Sequence, residues 1–474
     1  MLWRGNHNKQ EANTMLTRFT VGNFRSFDKN QTLSLIANTG TRHNERLYKT
    51  KDMNLLKFGA IFGANAAGKS NFIKAISFAQ RVTIFGTEFI KDELYFKLNP
   101  LNKEQPSYFE FELCIDEKIY AYGFEVIISK KQITEEWLVE LGKTHDTDIF
   151  SRNTVTGTFS FNKSMLTEKS EERMKVYVDD FLRVQNKSFL EYIISNKEEL
   201  FKQNPQLEIL KKIFNWILEL NISYPNTTIT GYDCFSVSNF KTLLSVIKYF
   251  NTDITGIREN VITKEAALEK TLSDFKKHIE DRLQKVCNAD CEKAPDSCKN
   301  CGFRMNINGR LIFVTFENRE PKFTEVTFIH NNYENVEFSL SEESEGTQRL
   351  LDLLSVLLTQ RENSVFIIDE IDRSLHPQLT VKFVQVFLDI AKSKNIQLFI
   401  STHESHLLNL DILRQDEIFM VDKKTNGASI VSPFDRFKER FDAKIEARYL
   451  DGRYDGVPIF DRVFPFDVLQ QSEK

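Results

Sequence analysis

A short stretch at residues 63–70 has the residue types and the spacing needed to bind phosphate groups. Gly63, Gly68, Lys69 and Ser70 fit the pattern G-x-x-x-x-G-K-[ST], between an apolar stretch that predicts a buried strand and one that predicts a helix. In such a loop the backbone N–H groups and the helix dipole attract phosphate, the lysine reaches the β and γ oxygens, and the serine hydroxyl ligates Mg²⁺. The sequence therefore predicts a nucleoside triphosphate site formed by Gly63, Ala64, Asn65, Ala66, Ala67, Gly68, Lys69, Ser70 and Asn71.

Two acidic residues near the other end of the chain complement this loop. Asp369 and Glu370 follow the apolar run 365–368, which is typical of a strand buried on both faces. Ligands gather at the carboxyl ends of parallel strands, so Asp369 is expected to hold Mg²⁺ through water and Glu370 to polarise an attacking water. Two acids after a strand are weak evidence alone, because carboxylates often only solvate a loop, but together with the glycine loop they indicate one site.

Two further motifs flank these acids. Ser344 and Gly346 precede a predicted helix whose leucines at 350, 351, 354, 357 and 358 form one apolar stripe. The stretch IQLFISTHESHLL predicts a buried strand that ends at Thr402 and His403. A lone histidine after a strand is more often structural, but its place in this order of motifs favours a role at the γ-phosphate.

The order of five motifs resembles a known group of ATPases. NFRSF (23–27), GANAAGKS (63–70), ESEGTQR (343–349), IIDEIDRSLHP (367–377) and STHES (401–405) are similar to those of the ABC ATPases of the SMC, RecF and OLD branch. Within that branch they most resemble the bacterial AAA-type ATP-binding proteins of abortive-infection and phage-defence systems, such as the AbiL and AriA types.

The resemblance implies roles for individual residues. ATP and Mg²⁺ would be the ligands, Glu370 would serve hydrolysis with His403 and with Asp372 at a subunit junction, and Ser344 and Gly346 would contact the γ-phosphate held by a second subunit. The sequence departs from the usual pattern at Glu345, which stands where the signature normally has glycine. Gln105 is a weak candidate for the glutamine that senses Mg²⁺. The closing stretch RYLDGRYDGVPIF, 448–460, is similar to the ends of such proteins but receives no physical role.

The expected fold class is α/β: a bilobed ABC-type P-loop ATPase head with an inserted, mainly helical arm. We expect a disordered extension over 1–14, a first lobe with the phosphate loop over 15–165, and the helical arm over 166–304. A second lobe over 305–434 would carry the signature, the acidic strand end and the histidine, followed by a tail over 435–474. The apolar seam of the predicted helix over 264–286 could pack within the arm or against a partner helix.

Four of the six cysteines lie within the arm, at Cys287, Cys291, Cys298 and Cys301, spaced C-x3-C-x6-C-x2-C. Disulfides are disfavoured in the cytosol, where clustered thiolates indicate tetrahedral zinc. Since four thiolates leave no open position, Zn²⁺ there would be structural. Reduced thiols on a surface loop are the alternative.

Composition limits the classes of function. The 474 residues carry a net charge of −4, with 27% charged and 41% hydrophobic residues, as expected of an ordinary soluble protein. No apolar run is long enough for a membrane span, and the first 14 residues lack the apolar core of a secretory signal, so we expect a cytoplasmic protein. The long insertion disfavours a transporter ATPase, and the short tail leaves too little chain for an appended nuclease domain.

The resemblance implies a homodimer or higher homo-oligomer that sandwiches ATP between paired heads. Its leading functional implication is a sensor of phage infection that controls a separately encoded toxin or nuclease effector in antiviral defence. The alternative is a RecF-like or SMC-like repair ATPase that clamps DNA.

Overall fold

The computed structural model describes residues 13–40, 42–225, 240–269, 302–317, 320–331, 336–359, 361–440 and 444–454. Within these residues three larger sheets and one two-stranded sheet are combined with helices, which confirms the predicted α/β class. Every helix in this part of the chain is too short or too polar to traverse a lipid bilayer.

A seven-stranded antiparallel sheet supports the phosphate-loop helix. Its strands are β1 (Thr14–Gly22), β2 (Gln31–Ser34), β6 (Ser107–Ile115), β7 (Lys118–Ile127), β8 (Gln132–Leu141), β9 (Thr147–Asn153) and β10 (Thr158–Phe161), in the order β10-β9-β8-β7-β6-β1-β2. Along β6 buried and half-buried residues alternate, so one face of the sheet is apolar and meets α1 (Lys69–Phe85). Phe72 of α1 packs edge-on against Phe19 of β1 at 5.6 Å between ring centroids. The short strands β3 (Tyr48–Lys49) and β4 (Asn54–Leu55) form a separate pair.

A six-stranded, mainly parallel sheet brings the predicted motifs together. Its strands are β5 (Phe58–Phe62), β11 (Asn221–Ser223), β16 (Val365–Ile368), β17 (Gln397–Ser401), β18 (Ile418–Lys423) and β19 (Ser429–Pro433), in the order β11-β16-β17-β5-β18-β19. All pairings are parallel except that of β18 with β19. The strands β5, β16 and β17 are buried throughout, and their carboxyl ends lie at the same edge.

Residues 168–223 differ from the predicted arm. The helices α2 (Glu168–Phe181), α3 (Phe189–Ile194), α4 (Glu198–Gln203) and α5 (Glu208–Leu218) form, but they pack into the same apolar core as α1 and the seven-stranded sheet. The start of α3 is held by the buried carboxylate of Glu136 on β8, which accepts hydrogen bonds from the amides of Phe189 and Leu190 at 2.7 and 3.1 Å. Strand β11 joins the parallel sheet beside β16. Amphipathic periodicity showed which helix face is apolar, but not which surface covers it.

A four-stranded antiparallel sheet forms a second departure from a mainly helical arm. Its strands are β12 (Ile254–Ile262), β13 (Gly302–Ile307), β14 (Arg310–Glu317) and β15 (Glu320–His330), in the order β12-β15-β14-β13. The helices α6 (Phe240–Tyr249) and α7 (Lys264–Ala267) flank β12. Strand β12 pairs with β15 over most of its length, so a segment predicted within the arm belongs to the sheet that precedes the signature.

The second apolar core lies beneath the parallel sheet. It contains residues of α8 (Glu345–Leu357), α9 (Pro377–Ala391) and α10 (Ile445–Leu450). The side chains of β5, β16 and β17 on the sheet face opposite the first core also belong to it. Leu350 and Leu354 of the predicted leucine stripe are buried here, as are Phe383 and Phe387 of α9. The predicted helix over 264–286 lies mostly outside the described residues, as do the four clustered cysteines.

Candidate nucleotide-binding site

The loop between β5 and α1 needs glycine at two positions. Gly63 has φ +154° and Gly68 has φ +123°, values that side-chain-bearing residues rarely adopt. A Cβ atom on Gly63 would lie 2.3 Å from the Val421 carbonyl oxygen, and one on Gly68 would lie 2.4 Å from Ser429 Oγ. No side chain in the described part of the chain caps α1, which begins directly after Gly68. Its first-turn N–H groups are therefore available to an anion.

Lys69 is buried inside the loop, with 5% of its surface exposed. Its Nζ donates hydrogen bonds to the carbonyl oxygens of Gly63 at 2.7 Å and Ala64 at 3.1 Å. Burial lowers the pKa of Lys69 to about 8, although the carboxylates at the end of β16 act in the opposite direction. These backbone acceptors hold the ammonium group within the loop itself.

The carboxylates after β16 are organised by one hydroxyl of β17. Ser401 Oγ donates to Asp369 Oδ1 at 2.5 Å and accepts from the backbone N–H of Glu370 at 2.8 Å. Asp369 is 3% exposed, whereas Glu370 is half-buried. Glu370 has φ 48°, a left-handed conformation that costs about 1 kcal/mol or more outside glycine. The turn that begins at Glu370 therefore depends on the neighbouring strand for its geometry.

Asp372 and His403 complete the group. Asp372 Oδ1 accepts from Thr402 Oγ1 at 2.7 Å and from the His403 backbone N–H at 3.2 Å. His403 Nδ1 lies 3.4 Å from Lys69 Nζ. Since an ammonium can only donate, Nδ1 is the acceptor and the ring proton lies on Nε2. Although the ring is partly exposed, desolvation and then Lys69 lower the pKa of His403, so it is neutral at pH 7.

The predicted signature residues lie beside the turn after β16. A Cβ atom on Gly346 would lie 2.9 Å from the Ser374 carbonyl oxygen, so glycine allows α8 to approach this turn closely. Ser344 caps α8 by accepting from the Thr347 backbone N–H at 3.1 Å. Glu345, which replaces the usual glycine, is exposed and accepts a hydrogen bond from Ser374 Oγ at 3.3 Å. Ser344 and Gly346 therefore stand at an exposed helix N-terminus.

The family comparison agrees with this geometry. The family model described as "AAA domain, putative AbiEii toxin, Type IV TA system" matches residues 58–409, more than half of the chain. The protein belongs to this AAA family. This membership agrees with the resemblance of the motif order to AAA-type ATP-binding proteins of abortive-infection systems. A comparison with curated proteins gives no match.

Solved structures of SMC heads also resemble this AAA chain, at low identity. A head bound to the C-winged helix domain of ScpA has a TM-score of 0.38 at 14% identity, covering 88% of this chain and 96% of that chain. The head domain from Thermotoga maritima has a TM-score of 0.32 at 13% identity, covering 88% and 98%. A head with an extended coiled coil, bound to the C-terminal domain of ScpA derived from Pyrococcus furiosus, has 0.36 at 14%, covering 88% and 96%. Because these TM-scores are low, the fold assignment rests on the strand order and on the geometry of the site.

The donor set suits Mg²⁺ in an AAA site. Ser70 supplies a hydroxyl at the start of α1, and Asp369 supplies a buried carboxylate on the same sheet edge. Mg²⁺ prefers hard oxygen ligands and normally keeps several waters and phosphate oxygens, so two protein oxygens are sufficient. Over the described ranges, no cluster of three or more His, Cys, Asp or Glu side chains is arranged to hold a metal.

Sequence reasoning did not identify Arg349, which lies close to the acids of this site, or Arg25, which precedes Ser26. Arg349 of α8 is 6% exposed, and its three guanidinium nitrogens have no hydrogen-bond partner among the described residues. Burial lowers the pKa of Arg349, while Asp352 and then Asp372 act against that effect. Arg25, with φ 51°, belongs to the NFRSF stretch.

The NFRSF stretch also contacts the phosphate loop directly. Ser26 Oγ accepts from Asn71 Nδ2 at 2.9 Å, and the Ser26 carbonyl accepts from the Ser429 backbone N–H at 2.7 Å. These contacts place Asn71, a predicted site residue, at the edge of the loop. The NFRSF and ESEGTQR motifs contain these two arginines, but the residue type alone does not indicate whether an arginine side chain is buried.

Two predictions stay open. Gln105 is exposed in the turn before β6, where its backbone carbonyl accepts from Asn23 Nδ2 at 3.0 Å. Its assignment as the Mg²⁺-sensing glutamine remains a prediction. The zinc assignment of Cys287, Cys291, Cys298 and Cys301 falls on residues outside the described ranges, so it also remains a prediction.

Proposed function

We propose that the protein binds ATP with Mg²⁺ and hydrolyses it to ADP and phosphate. The observation that carries this proposal is the convergence of Lys69, Asp369, Glu370, Asp372 and His403 on one phosphate-binding loop. They follow three strands whose carboxyl ends share one edge of the parallel sheet. Open α/β sheets bind their ligands at such edges.

Each residue contributes a separate step. The loop N–H groups and the Lys69 ammonium stabilise negative charge on the phosphate oxygens. The Glu370 carboxylate accepts a proton from the attacking water, and the Nε2–H of neutral His403 donates a hydrogen bond to a γ-phosphate oxygen. Ser70 and Asp369 would hold Mg²⁺, which supplies charge neutralisation between the β and γ phosphates.

Two copies would pair through the nucleotide. Ser344 and Gly346 occupy an exposed helix N-terminus, which suits an anion that approaches from outside the chain. The γ-phosphate held by a second subunit is such an anion. Asp372, which bonds the His403 loop within its own chain, would lie at the junction. ATP binding would then drive dimerisation, and hydrolysis would release it.

Three substitutions test the site. Lys69→Ala should abolish ATP binding, because it removes the main positive charge at the phosphates. Glu370→Gln should bind ATP but hydrolyse it at least about a hundredfold more slowly, and should elute as a dimer in ATP and Mg²⁺. Asp389→Asn, an exposed acid on α9 paired with Lys392, is the matched control and should hydrolyse ATP normally. Parental turnover in Glu370→Gln, or ATP binding by Lys69→Ala, would contradict the assignment.

The biological role we propose is control of a separately encoded toxin or nuclease effector in antiviral defence, within the cytoplasm. Support comes from the motif resemblance and from a family description that names a toxin of a toxin–antitoxin system. Native mass spectrometry of Glu370→Gln, co-expressed with its genomic neighbours and held in ATP and Mg²⁺, tests it. Retention of a neighbouring gene product supports the effector role. An unaccompanied homodimer whose ATPase is stimulated by DNA would instead favour a repair clamp.

A further inference from the structure

The residues that precede α8, 337–343, are fastened to the four-stranded sheet; we call them the connection. Near its beginning, the Glu337 carboxylate accepts a hydrogen bond from Asn260 Nδ2 of β12 at 2.8 Å. The backbone of Phe338 exchanges two hydrogen bonds with that of Phe328 on β15, at 2.8 and 2.9 Å. The connection therefore follows the β12–β15 pair before it enters α8.

The turn between β13 and β14 supports the same connection. The carbonyl oxygen of Gly309 in this turn accepts from the Ser341 backbone N–H at 2.9 Å. Gly309 has φ +77°, and a Cβ atom there would lie 2.3 Å from Ser341 Cβ, so glycine is needed for so close an approach. Two parts of the sheet, the β12–β15 pair and the β13–β14 turn, thus hold the backbone that precedes α8.

A buried hydrogen bond holds the last residue of the connection. His330 Nε2, at the end of β15, lies 2.7 Å from Glu343 Oε1. The side chain of Glu343 is 4% exposed and that of His330 is 23% exposed. Because a carboxylate can only accept, the ring proton of His330 lies on Nε2. The His330 ring also packs edge-on against Phe338, with 5.0 Å between ring centroids, so packing fixes the orientation of the donor.

Glu343 in turn contacts the first turn of α8. Its backbone carbonyl accepts from Gln348 Nε2 at 2.8 Å, and the Gln348 backbone N–H donates to the Ser344 carbonyl at 2.9 Å. Glu343 is therefore bonded to β15 through its side chain and to α8 through its carbonyl group. Since Glu343 directly precedes Ser344, the direction of its peptide sets where the N-terminus of α8 points.

We propose that His330 and Glu343 are positioning residues for the signature, which hold Ser344 and Gly346 where they can meet the γ-phosphate of a second subunit. This inference rests on the proposed pairing of two copies through ATP. The phosphate-loop lysine of the same chain, Lys69, bonds within its own loop and does not depend on this pair. Loss of the pair should therefore weaken ATP-dependent dimerisation without weakening the binding of ATP by one subunit.

The first variant removes the hydrogen-bond donor and keeps an aromatic ring. His330→Phe, made in the Glu370→Gln chain so that turnover is slow, still packs against Phe338 but cannot bond Glu343. The dissociation constant of the ATP-dependent dimer, measured by analytical ultracentrifugation, should rise about tenfold, as expected for the loss of a hydrogen bond to a charged group. Dilute protein should bind a fluorescent ATP analogue with an affinity within about twofold of that of the Glu370→Gln chain.

A double variant separates positioning from stability. His330→Phe alone leaves the Glu343 side chain buried without its partner, so its melting temperature should fall. Adding Glu343→Met replaces both partners by apolar groups, which should recover much of that loss. Dimerisation should stay about tenfold weaker, because a methionine side chain makes no hydrogen bond that directs the peptide before Ser344. Recovery of dimerisation together with the melting temperature would overturn the positioning role.

An ion pair elsewhere in the same sheet provides the matched control. Arg310 of β14 donates from Nε and Nη2 to the two carboxylate oxygens of Glu325 on β15, at 2.7 and 2.6 Å. In the described structure this pair makes no hydrogen bond to residues 337–344. Glu325→Met should therefore leave the dissociation constant of the dimer within about twofold. An equal rise for Glu325→Met and His330→Phe would contradict a specific role of His330.

Hydrogen exchange tests the contact without dimerisation. In nucleotide-free protein, peptides that cover 343–350 should exchange faster in His330→Phe than in the parent or in Glu325→Met, with no change over 58–72. Equal exchange over 343–350 and an unchanged dissociation constant would overturn the inference. If the Glu370→Gln chain did not dimerise in ATP, the proposed pairing would fail, while the exchange experiment would still decide whether His330 orders the start of α8.

Discussion

Raising the pH from 7 to 9 should weaken ATP binding through a single lysine. Lys69 has a pKa of about 8 in the nucleotide-free protein because it is buried. With that pKa, its charged fraction falls from about nine-tenths at pH 7 to about one-tenth at pH 9. Bound phosphates stabilise the charged form, so binding above pH 8 must take up a proton. We expect the affinity for ATP to fall about tenfold over this interval.

The stability of the nucleotide-free protein should change in the opposite direction. The pKa of Lys69 is lowered from 10.5 to about 8 on folding, so between these values the unfolded chain binds more protons than the native one. Stability therefore rises with pH across that window and is lowest below pH 8, where the buried ammonium is charged. At 1.36 kcal/mol for each tenfold change, the Lys69 contribution grows by about 1.3 kcal/mol from pH 7 to 9.

Calorimetric titration of Glu370→Gln with ATP and Mg²⁺ at pH 7, 8 and 9 measures the affinity without turnover. Repeating it in buffers of different ionisation enthalpy measures proton uptake, which should approach about 0.9 per ATP at pH 9. Urea unfolding of the parent and of Lys69→Met at each pH isolates the lysine contribution, because other titrating groups cancel in the difference.

Lys57 provides the control for this experiment. Its Nζ also donates to two backbone carbonyls, those of Ala391 and Lys394, and burial also lowers its pKa, but it lies away from the phosphate loop. Lys57→Met should leave the pH dependence of ATP affinity intact. An affinity that does not vary with pH, with no proton uptake, would refute the reasoning for Lys69.

Three further predictions concern other parts of the chain. Arg349→Met should raise the free energy of unfolding by about 1–3 kcal/mol, since it removes a buried guanidinium without hydrogen-bond partners in the described structure, and should lower ATP turnover; a lower melting temperature would contradict this. Arg152 Nη2 on β9 donates to Glu136 Oε2 on β8 at 2.8 Å, and both side chains are fully buried. Arg152→Met should lower the free energy of unfolding by about 3–5 kcal/mol in urea, because it leaves the buried Glu136 side chain without its partner, and a loss below about 1 kcal/mol would count against the contribution of this pair. Protein purified without added zinc should contain about one Zn²⁺ per chain by elemental analysis, and metal-free folded protein would leave the cysteines as plain thiols.

The placement of the candidate site residues was predictable because their motifs are local. The G-x-x-x-x-G-K-S spacing encodes a loop that needs glycine at Gly63 and Gly68, and both glycines have the backbone conformations and close neighbours that require it. The apolar runs before Asp369 and His403 encode buried parallel strands, and such strands align their carboxyl ends. Order along the chain was therefore enough to predict that Lys69, Asp369 and His403 meet.

The sequence did not predict which apolar surfaces pack against each other. Helices α2 to α5 have the amphipathic pattern of an arm, yet they are covered by the seven-stranded sheet and α1. Strand β12 became part of a sheet because β15 pairs with it. In both cases the sequence pattern indicates which face is apolar but not which segment packs against it, because that segment lies far away along the chain.

The sequence by itself determined the phosphate loop, the acidic strand end, the histidine loop and the α/β class, because each depends on residues that are adjacent along the chain. Only the tertiary structure decided that the guanidinium of Arg349 is buried beside the acids and that the buried ring of Tyr449 packs against Phe62 at the end of β5. Burial and long-range hydrogen bonds depend on how distant segments pack, and one arginine or tyrosine carries no local signal of that packing.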